Sequence, residues 1–327
     1  MSGVVGSRVT LRPIRYQVSG HTPILHNVEC PSHSYKPFSA AEHAFYTRLY
    51  SDSSLEKLRA LAPKFFGVAS VDTVDVGVDA NQHVLHFSKQ CPENTSALEA
   101  KMVLAEDGRA EFLVLECIGC GIEHPCIADF KLGLAEEANA KMKALDKSMA
   151  SFSAEKLRWK AEKAQRTTSA ALGCRMCGML VWNPVDKKHV FRDKYSAFDC
   201  FEDSRASLRN SARAFFADGA GGLRLPVLKE CLARVQEIRR VISSIEMCPF
   251  LLWSTSLFIA YDGEYQEPSA AADSGSDVSD HVHVKLLDFG RVVPLDTDEL
   301  RALFGQDGVA EGLANMEEAL SSLLYTQ

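Results

Sequence analysis

Apolar residues repeat at helical spacing in a few stretches of the chain and cluster in short runs elsewhere. In SAAEHAFYTRLY (39–50), Ala41, Phe45 and Leu49 fall on one face and Ser39 stands where a helix cap belongs, which predicts a helix. PVLKECLARVQEIRRVISSIE carries the clearest amphipathic stripe and predicts a helix over 226–247; further helices are expected at 203–217 and in the tail EGLANMEEALSSLLYTQ. Strand-like runs are VTLRPIRYQVSG, HVLHFSK (83–89), ALEAKMVLAE (97–106), AEFLVLECIG (110–119), TTSAALGCRMCGMLVWN (167–183), LLWSTSLFIAYDG and HVHVKLLDFGRVVPL. Asp107-Gly108 marks a hairpin between two of them.

The texture changes after Gly121. Residues 134–166 read as helical and charged, and EYQEPSAAADSGSDVSD (264–280) as an acidic, disordered loop. The chain therefore divides into a small antiparallel-sheet N-lobe (1–115), a hinge (116–121) and a larger mixed C-lobe (122–327), an α+β protein with a ligand cleft expected between its lobes.

Charge sharpens this picture. The net charge is −7, which argues against general nucleic-acid binding. Yet Lys141–Arg166 holds eight Lys/Arg against three Asp/Glu, a basic island suited to a small, strongly anionic ligand. With no long apolar run, the protein is expected to be soluble and intracellular, cytoplasmic or nuclear. The ten cysteines are no disulfide framework; Cys117, Cys126, Cys174 and Cys177 read as reduced core thiols. Cys117-x-x-Cys120 and Cys174-x-x-Cys177 are too far apart in sequence for a zinc ribbon. His281 and His283 would share one strand face at the mouth of the acidic loop.

Three short stretches carry candidate chemistry. VKLLDFG ends an apolar strand in Asp288, the position from which phosphotransferases hold Mg²⁺. Lys36 at a strand end and Glu42 on the next helix could pair, as a phosphate-binding lysine and its helix glutamate do. Asp129 and Lys131 sit two apart in an apolar strand, so both face the same way. No H-R-D-x-x-x-x-N loop and no G-x-G-x-x-G loop is present, which disfavours a protein kinase but not a kinase of small molecules.

PCIADFKLG resembles the PxxxDxKxG signature of the inositol polyphosphate kinases, through Pro125, Asp129, Lys131 and Gly133. TTSAALGCRMCGM, STSLFIAYDG, LLDFG and SGHTPILHN…YKPFSAAEHAFY are similar to further blocks of that family, in order over residues 17–290. SAEKLRWKAEKAQRTTSAALG and FRDKY most resemble its hexakisphosphate kinases. The resemblance implies a two-lobed, protein-kinase-like fold with a helical inositol-phosphate-binding insertion. It implies ATP as donor with Mg²⁺, and an inositol polyphosphate acceptor, leading with hexakisphosphate and a diphosphoinositol product. A multikinase acting on hydroxyls of lower phosphates, and a non-catalytic nucleotide-binding scaffold, stay open beside it.

By the same resemblance, Lys36 and Glu42 serve ATP, and Asp288 with Ser256 serves the metal. Backbone groups at Glu116 and Ile118 would bind adenine. Lys131 would contact the acceptor or the transferring phosphate, and Asp129 the ribose or the acceptor oxygen. Lys156, Lys160 and Lys163 at i, i+4 and i+7, with Arg166, Lys194 and Arg291, would bind the acceptor. Gly290-Arg291 departs from the family's Ala-His, and Cys174 from an apolar position.

Overall fold

Two antiparallel sheets organise the chain. The computed structural model describes residues 11–20, 24–27, 29–71, 103–104, 110–133, 154–192, 203–265 and 277–325. The first part contains β1 (Leu11–Pro13), β2 (Leu25–Asn27), β3 (Cys30–Pro37), α1 (Ala40–Ser51), α2 (Glu56–Leu61), β4 (Phe65–Val71), β5 (Val103–Leu104) and β6 (Ala110–Glu116). Its strands run in the order β1-β2-β3-β6-β4, with β5 also paired to β6. After a turn come β7 (Pro125–Leu132), α3 (Ala154–Arg166), α4 (Ser169–Leu172), β8 (Cys174–Asn183) and β9 (Lys188–Arg192). Then follow α5 (Ser204–Phe215), α6 (Leu225–Ile242), β10 (Phe250–Leu252), β11 (Ser256–Asp262), α7 (Val278–His281), β12 (Val282–Leu287), β13 (Val292–Pro294), α8 (Asp298–Arg301) and α9 (Val309–Tyr325). The second sheet has the order β12-β11-β7-β8-β9, and β10 with β13 forms a separate ribbon.

Local rules explain the elements nearest the cleft. Ser39 caps α1 by accepting from the Glu42 amide at 3.4 Å. Phe45, Tyr46 and Leu49 then fall on the buried face of α1. β7 lies between β11 and β8, which is why its sequence is almost continuously apolar. The stripe of α6 (Val227, Leu228, Cys231, Val235, Ile238, Val241, Ile242) is buried, and α6 packs on α9 and β12. Both lobes share one core, from Phe45 and Leu113 to Leu313 and Leu323.

Residues 14–20 leave β1 and strap the two sheets together. Gln17 fixes the strap by accepting from the Ile24 amide at 2.9 Å and donating to the Ser19 carbonyl at 2.8 Å. Val18 buries its side chain with Ile127, Leu180 and Ala260 of the second sheet. Gly178 on β8 permits this approach, because a Cβ there would overlap the Val18 carbonyl oxygen.

Several expectations are redrawn. Of residues 11–20 only Leu11–Pro13 is strand, since the strap bonds through Gln17 instead of a ladder. The run 281–295 breaks into β12 and β13, and 251–263 into β10 and β11, at the left-handed backbones of Asp288 (φ 67°) and Ser254 (φ 54°). Residues 169–172 are helical before β8 begins. Within the segment read as a disordered loop, Val278–His281 forms a helical turn capped by Asp277. His281 ends that turn while His283 lies on β12, so the two do not share a strand face. Cys117, read as a reduced core thiol, is only half buried and lies beside Cys120 in a tight turn, whereas Cys126 and Cys174 are buried thiols and Cys177 a half-buried one. The expected strand 83–89, the hairpin at 107–108, the stretch 134–153 and residues 266–276 lie outside the described residues.

Replacing Gly178 with alanine should lift the strap off β8. Overpacking of this kind costs about 1–3 kcal/mol. The variant is expected to melt several degrees below the parent in a thermal denaturation scan.

Candidate active site

Lys36 ends β3 facing the first turn of α1, and this geometry starts the site. Its ammonium lies 2.9 Å from the Glu42 carboxylate and 3.0 Å from Asp288 Oδ1. Asp288 Oδ2 lies 3.2 Å from the Lys131 ammonium. Lys131 also donates to the Ser254 carbonyl at 2.6 Å and to Ser256 Oγ at 3.0 Å. One carboxylate thus bridges a lysine of the first sheet and a lysine of the second.

The backbone is shaped around that bridge. Asp288 and Ser254, both left-handed, present their oxygens to the two lysines. Phe289 is fully buried, stacked on Phe45 at 4.2 Å, and its amide donates to Glu42 Oε1 at 3.3 Å. In a capping box Glu42 would reach back to the Ser39 amide; here its carboxylate receives Lys36 and Phe289 instead.

Asp129 completes the charged cluster. It is 6% exposed, Ser19 of the strap donates to its Oδ2, and its Oδ1 is buried with no hydrogen-bond partner. Burial pushes the Asp129 pKa up; Lys131 opposes that shift and Asp288 adds to it. Burial also disfavours the charge on Asp288, but Lys36 and Lys131 outweigh it and hold the Asp288 pKa well below the usual carboxylate range. Burial likewise works against the charge on Lys36, and Asp288 and Glu42 overcome it, so its pKa stands above the ordinary lysine value. The Asp288 side chain nevertheless stays 48% accessible from the cleft.

A cleft of about 480 Å³ opens from this cluster toward the turn joining the lobes. Ile24, Leu115, Ile118, Ile127, Phe258 and Leu287 give it apolar walls; Lys36, Glu42, Asp129 and Asp288 lie at its charged end. Glu116 and Ile118 also line it. The Glu116 side chain accepts from the Lys64 amide at 3.1 Å, and among the described residues the Ile118 amide makes no hydrogen bond. Among those residues no group of three or more His, Cys, Asp or Glu is placed to hold a metal by itself. Asp288 offers one carboxylate open to the cleft. That fits a hard cation whose other ligands are phosphate oxygens and waters.

The structure brings together Lys36, Glu42, Asp129, Lys131, Ser256 and Asp288, but not the whole expected set. Lys163 and Arg166 lie on α3, none of whose described side chains lines the cleft; the Lys163 ammonium sits 5.2 Å from the Trp159 ring centre. Lys156 and Lys160 belong to the same helix, Arg291 is exposed outside the cleft lining, and Lys194 lies outside the described residues. The Thr/Ser cluster is structural: Thr168 donates to the Cys174 carbonyl at 2.6 Å, and Ser169 accepts from Arg175 at 2.9 Å. Ser19 and the Ser254 carbonyl carry no local sequence signal, because their partners are remote in sequence.

Residues 112–321 match the family model for inositol polyphosphate kinase. The chain is 30% identical over 210 residues to inositol hexakisphosphate kinase 3 of Mus musculus, covering 63% of this chain and 46% of that protein. It is 26% identical over 219 residues to the Homo sapiens counterpart, covering 63% and 47%. The chain thus spans about half the length of the curated relatives it matches. The fold is similar to inositol phosphate multikinase Ipk2 of S. cerevisiae, solved with ADP and Mn²⁺, with a TM-score of 0.56 at 19% identity over 89% of this chain and 99% of that one. Among the described residues no helix is long and apolar enough to cross a membrane.

Because its folded pKa is depressed, Asp288 contributes stability that is present above the unfolded carboxylate value of about 3.9 and lost as pH falls below it. Asp129, with a raised pKa, acts in the opposite sense in parent and variant alike. Thermal denaturation at a series of pH values should therefore show a steeper loss of stability below about pH 4 in the parent than in Asp288→Asn.

Proposed function

The chain belongs to the inositol polyphosphate kinase family, and from that premise we propose that it transfers the γ-phosphoryl group of ATP to an inositol polyphosphate. The leading acceptor is inositol hexakisphosphate, giving a diphosphoinositol, in line with the names of the relatives it matches. The observation that carries the reading is the Glu42–Lys36–Asp288–Lys131 bridge at the charged end of the cleft.

The roles follow from position. Adenine would lie between the apolar walls, with the Ile118 amide as a donor at its edge. Lys36, oriented by Glu42, would neutralise the donor phosphates. Asp288 would hold Mg²⁺, which when bound screens the charge on those phosphates. Lys131, fixed by Ser254 and Ser256, points from the opposite sheet and would stabilise the phosphoryl group in transit. An acceptor phosphate oxygen attacks the γ-phosphorus, the bond to the bridging oxygen breaks, and ADP leaves. That oxygen is already ionised and needs no base. Asp129, tied to the strap by Ser19, would then receive the ribose hydroxyls through its unpartnered Oδ1.

The same Oδ1 favours one alternative. A carboxylate with a raised pKa and a free oxygen could take the proton of an acceptor hydroxyl, which is what a multikinase needs. The basic face of α3 would bring the acceptor to the cleft in either case.

Labelled ATP offered with inositol tris-, tetrakis-, pentakis- and hexakisphosphate separately, with products resolved by anion exchange, tests the assignment. A product more acidic than hexakisphosphate is expected, and Asp288→Asn should lower turnover at least about a hundredfold. Transfer confined to the lower phosphates would establish the alternative. Near-normal turnover in Asp288→Asn would remove the metal role.

Substituting Lys156, Lys160 and Lys163 together by alanine should raise the KM for the acceptor about tenfold or more while leaving that for ATP nearly unchanged. Initial-rate kinetics with each substrate varied in turn check this, and a rise confined to ATP would contradict it.

A further inference from the structure

We infer that Arg48 and Asp296 are a positioning pair: they clamp the far end of α1 to the segment that carries Asp288, and so set how tightly the cleft holds a nucleoside diphosphate with its divalent cation. The consequence for nucleotide rests on the reading above, whereas the clamp itself does not. Arg48 Nη1 donates to both carboxylate oxygens of Asp296, at 2.9 and 3.1 Å. The contact joins the last turn of α1 to the chain just past β13.

α1 meets that segment along its length. In its first turn Glu42 accepts from Lys36 at 2.9 Å and from the Phe289 amide at 3.3 Å. In its middle Phe45 stacks on Phe289 at 4.2 Å and meets Phe250 edge-on at 5.3 Å. In its last turn the Arg48 guanidinium lies 5.1 Å from the centre of the Phe250 ring, and Phe250 pairs with Pro294 across the β10–β13 ribbon. Glu42, Phe45 and Arg48 follow at i, i+3 and i+6, so each is the next one's neighbour on the helix surface. The segment needs such support. Asp288 is left-handed at φ 67°, a backbone that a non-glycine residue keeps only where its surroundings over-determine it.

Stability does not account for the pair. The Asp296 side chain is 60% accessible, and ion pairs this open add little to folding. What the pair supplies is direction. With Arg48 held, α1 is fixed at both ends, and Glu42 passes that constraint to Lys36 and to the Phe289 amide beside Asp288. Without Arg48 the helix can pivot about the Phe45 stack. Glu42 then drifts from the Phe289 amide, and Asp288 and Lys36 lose the mutual geometry that phosphates and a cation require. Coupling carried to a site through packed and hydrogen-bonded groups changes affinity there by about three- to tenfold.

The test uses the full chain. Isothermal titration reads the affinity for ADP with Mg²⁺, and amide hydrogen exchange read by mass spectrometry follows the peptide holding Phe289 with no nucleotide added. Arg48→Met is expected to weaken ADP about three- to tenfold and to speed exchange at Phe289, while the melting temperature moves by no more than about two degrees. Asp296→Asn should reproduce it. Arg48→Lys, which keeps the charge, should lie closer to the parent. Arg205→Met, which breaks an ion pair with Glu318 outside the cleft lining, should match the parent. Unchanged exchange at Phe289 in Arg48→Met would overturn the clamp. Faster exchange with unchanged ADP affinity would overturn its consequence for nucleotide. A large fall in melting temperature shared by Arg48→Met and Arg48→Lys would overturn the positioning role in favour of a structural one. Failure of the parent to bind ADP would overturn the nucleotide reading and that consequence together, while exchange at Phe289 separately decides the clamp.

Discussion

The carboxylate of Asp288 is shared between two ammonium groups that arrive from different sheets, and the cleft is organised around that sharing. Removing Asp288 would leave Lys36 and Lys131, each about three-quarters covered, without the carboxylate they share. None of the three groups is therefore independent. Glu42 extends the constraint to α1, and through the Phe289 amide and the Phe45 stack it holds the turn that carries Asp288 itself. The network is closed: the turn positions the carboxylate, which positions the lysines, and one of those lysines is gripped by the helix that grips the turn.

Such a network suits a site that must hold several anions. Its lysines are aimed by the carboxylates they contact. Asp129 and Asp288 lie in the same cleft, yet their pKa values are driven apart because only Asp288 is flanked closely by two cations. That asymmetry sets a carboxylate held in its charged form beside one whose charge burial disfavours.

The residues of the charged cluster were legible because each stands in a short local pattern. Lys36 and Glu42 bracket the start of a capped helix, Asp129 and Lys131 share a strand face, and Asp288 ends an apolar run. The helical stripes of α1 and α6 were equally plain. What pattern did not carry was backbone handedness and distance along the chain. Asp288 and Ser254 each break what reads as one continuous strand, since hydrophobicity says nothing of φ. The Ser19 hydroxyl finds its partner 110 residues away. Cys117 reads as a core thiol because composition reports apolar neighbours, not the tight turn that lays Cys120 beside it.

The strap has a consequence for how the chain is made. Val18 emerges from the ribosome well before Ile127, Leu180 and Ala260, the residues that form its binding pocket. Domains tend to fold in the order they emerge, whereas contacts this distant in sequence close slowly. The first sheet can pair its own strands while the rest is still being translated. The strap then waits beside it, apolar and unseated, until β11 is complete. The strap is therefore open to misassociation from its own emergence until that of β11.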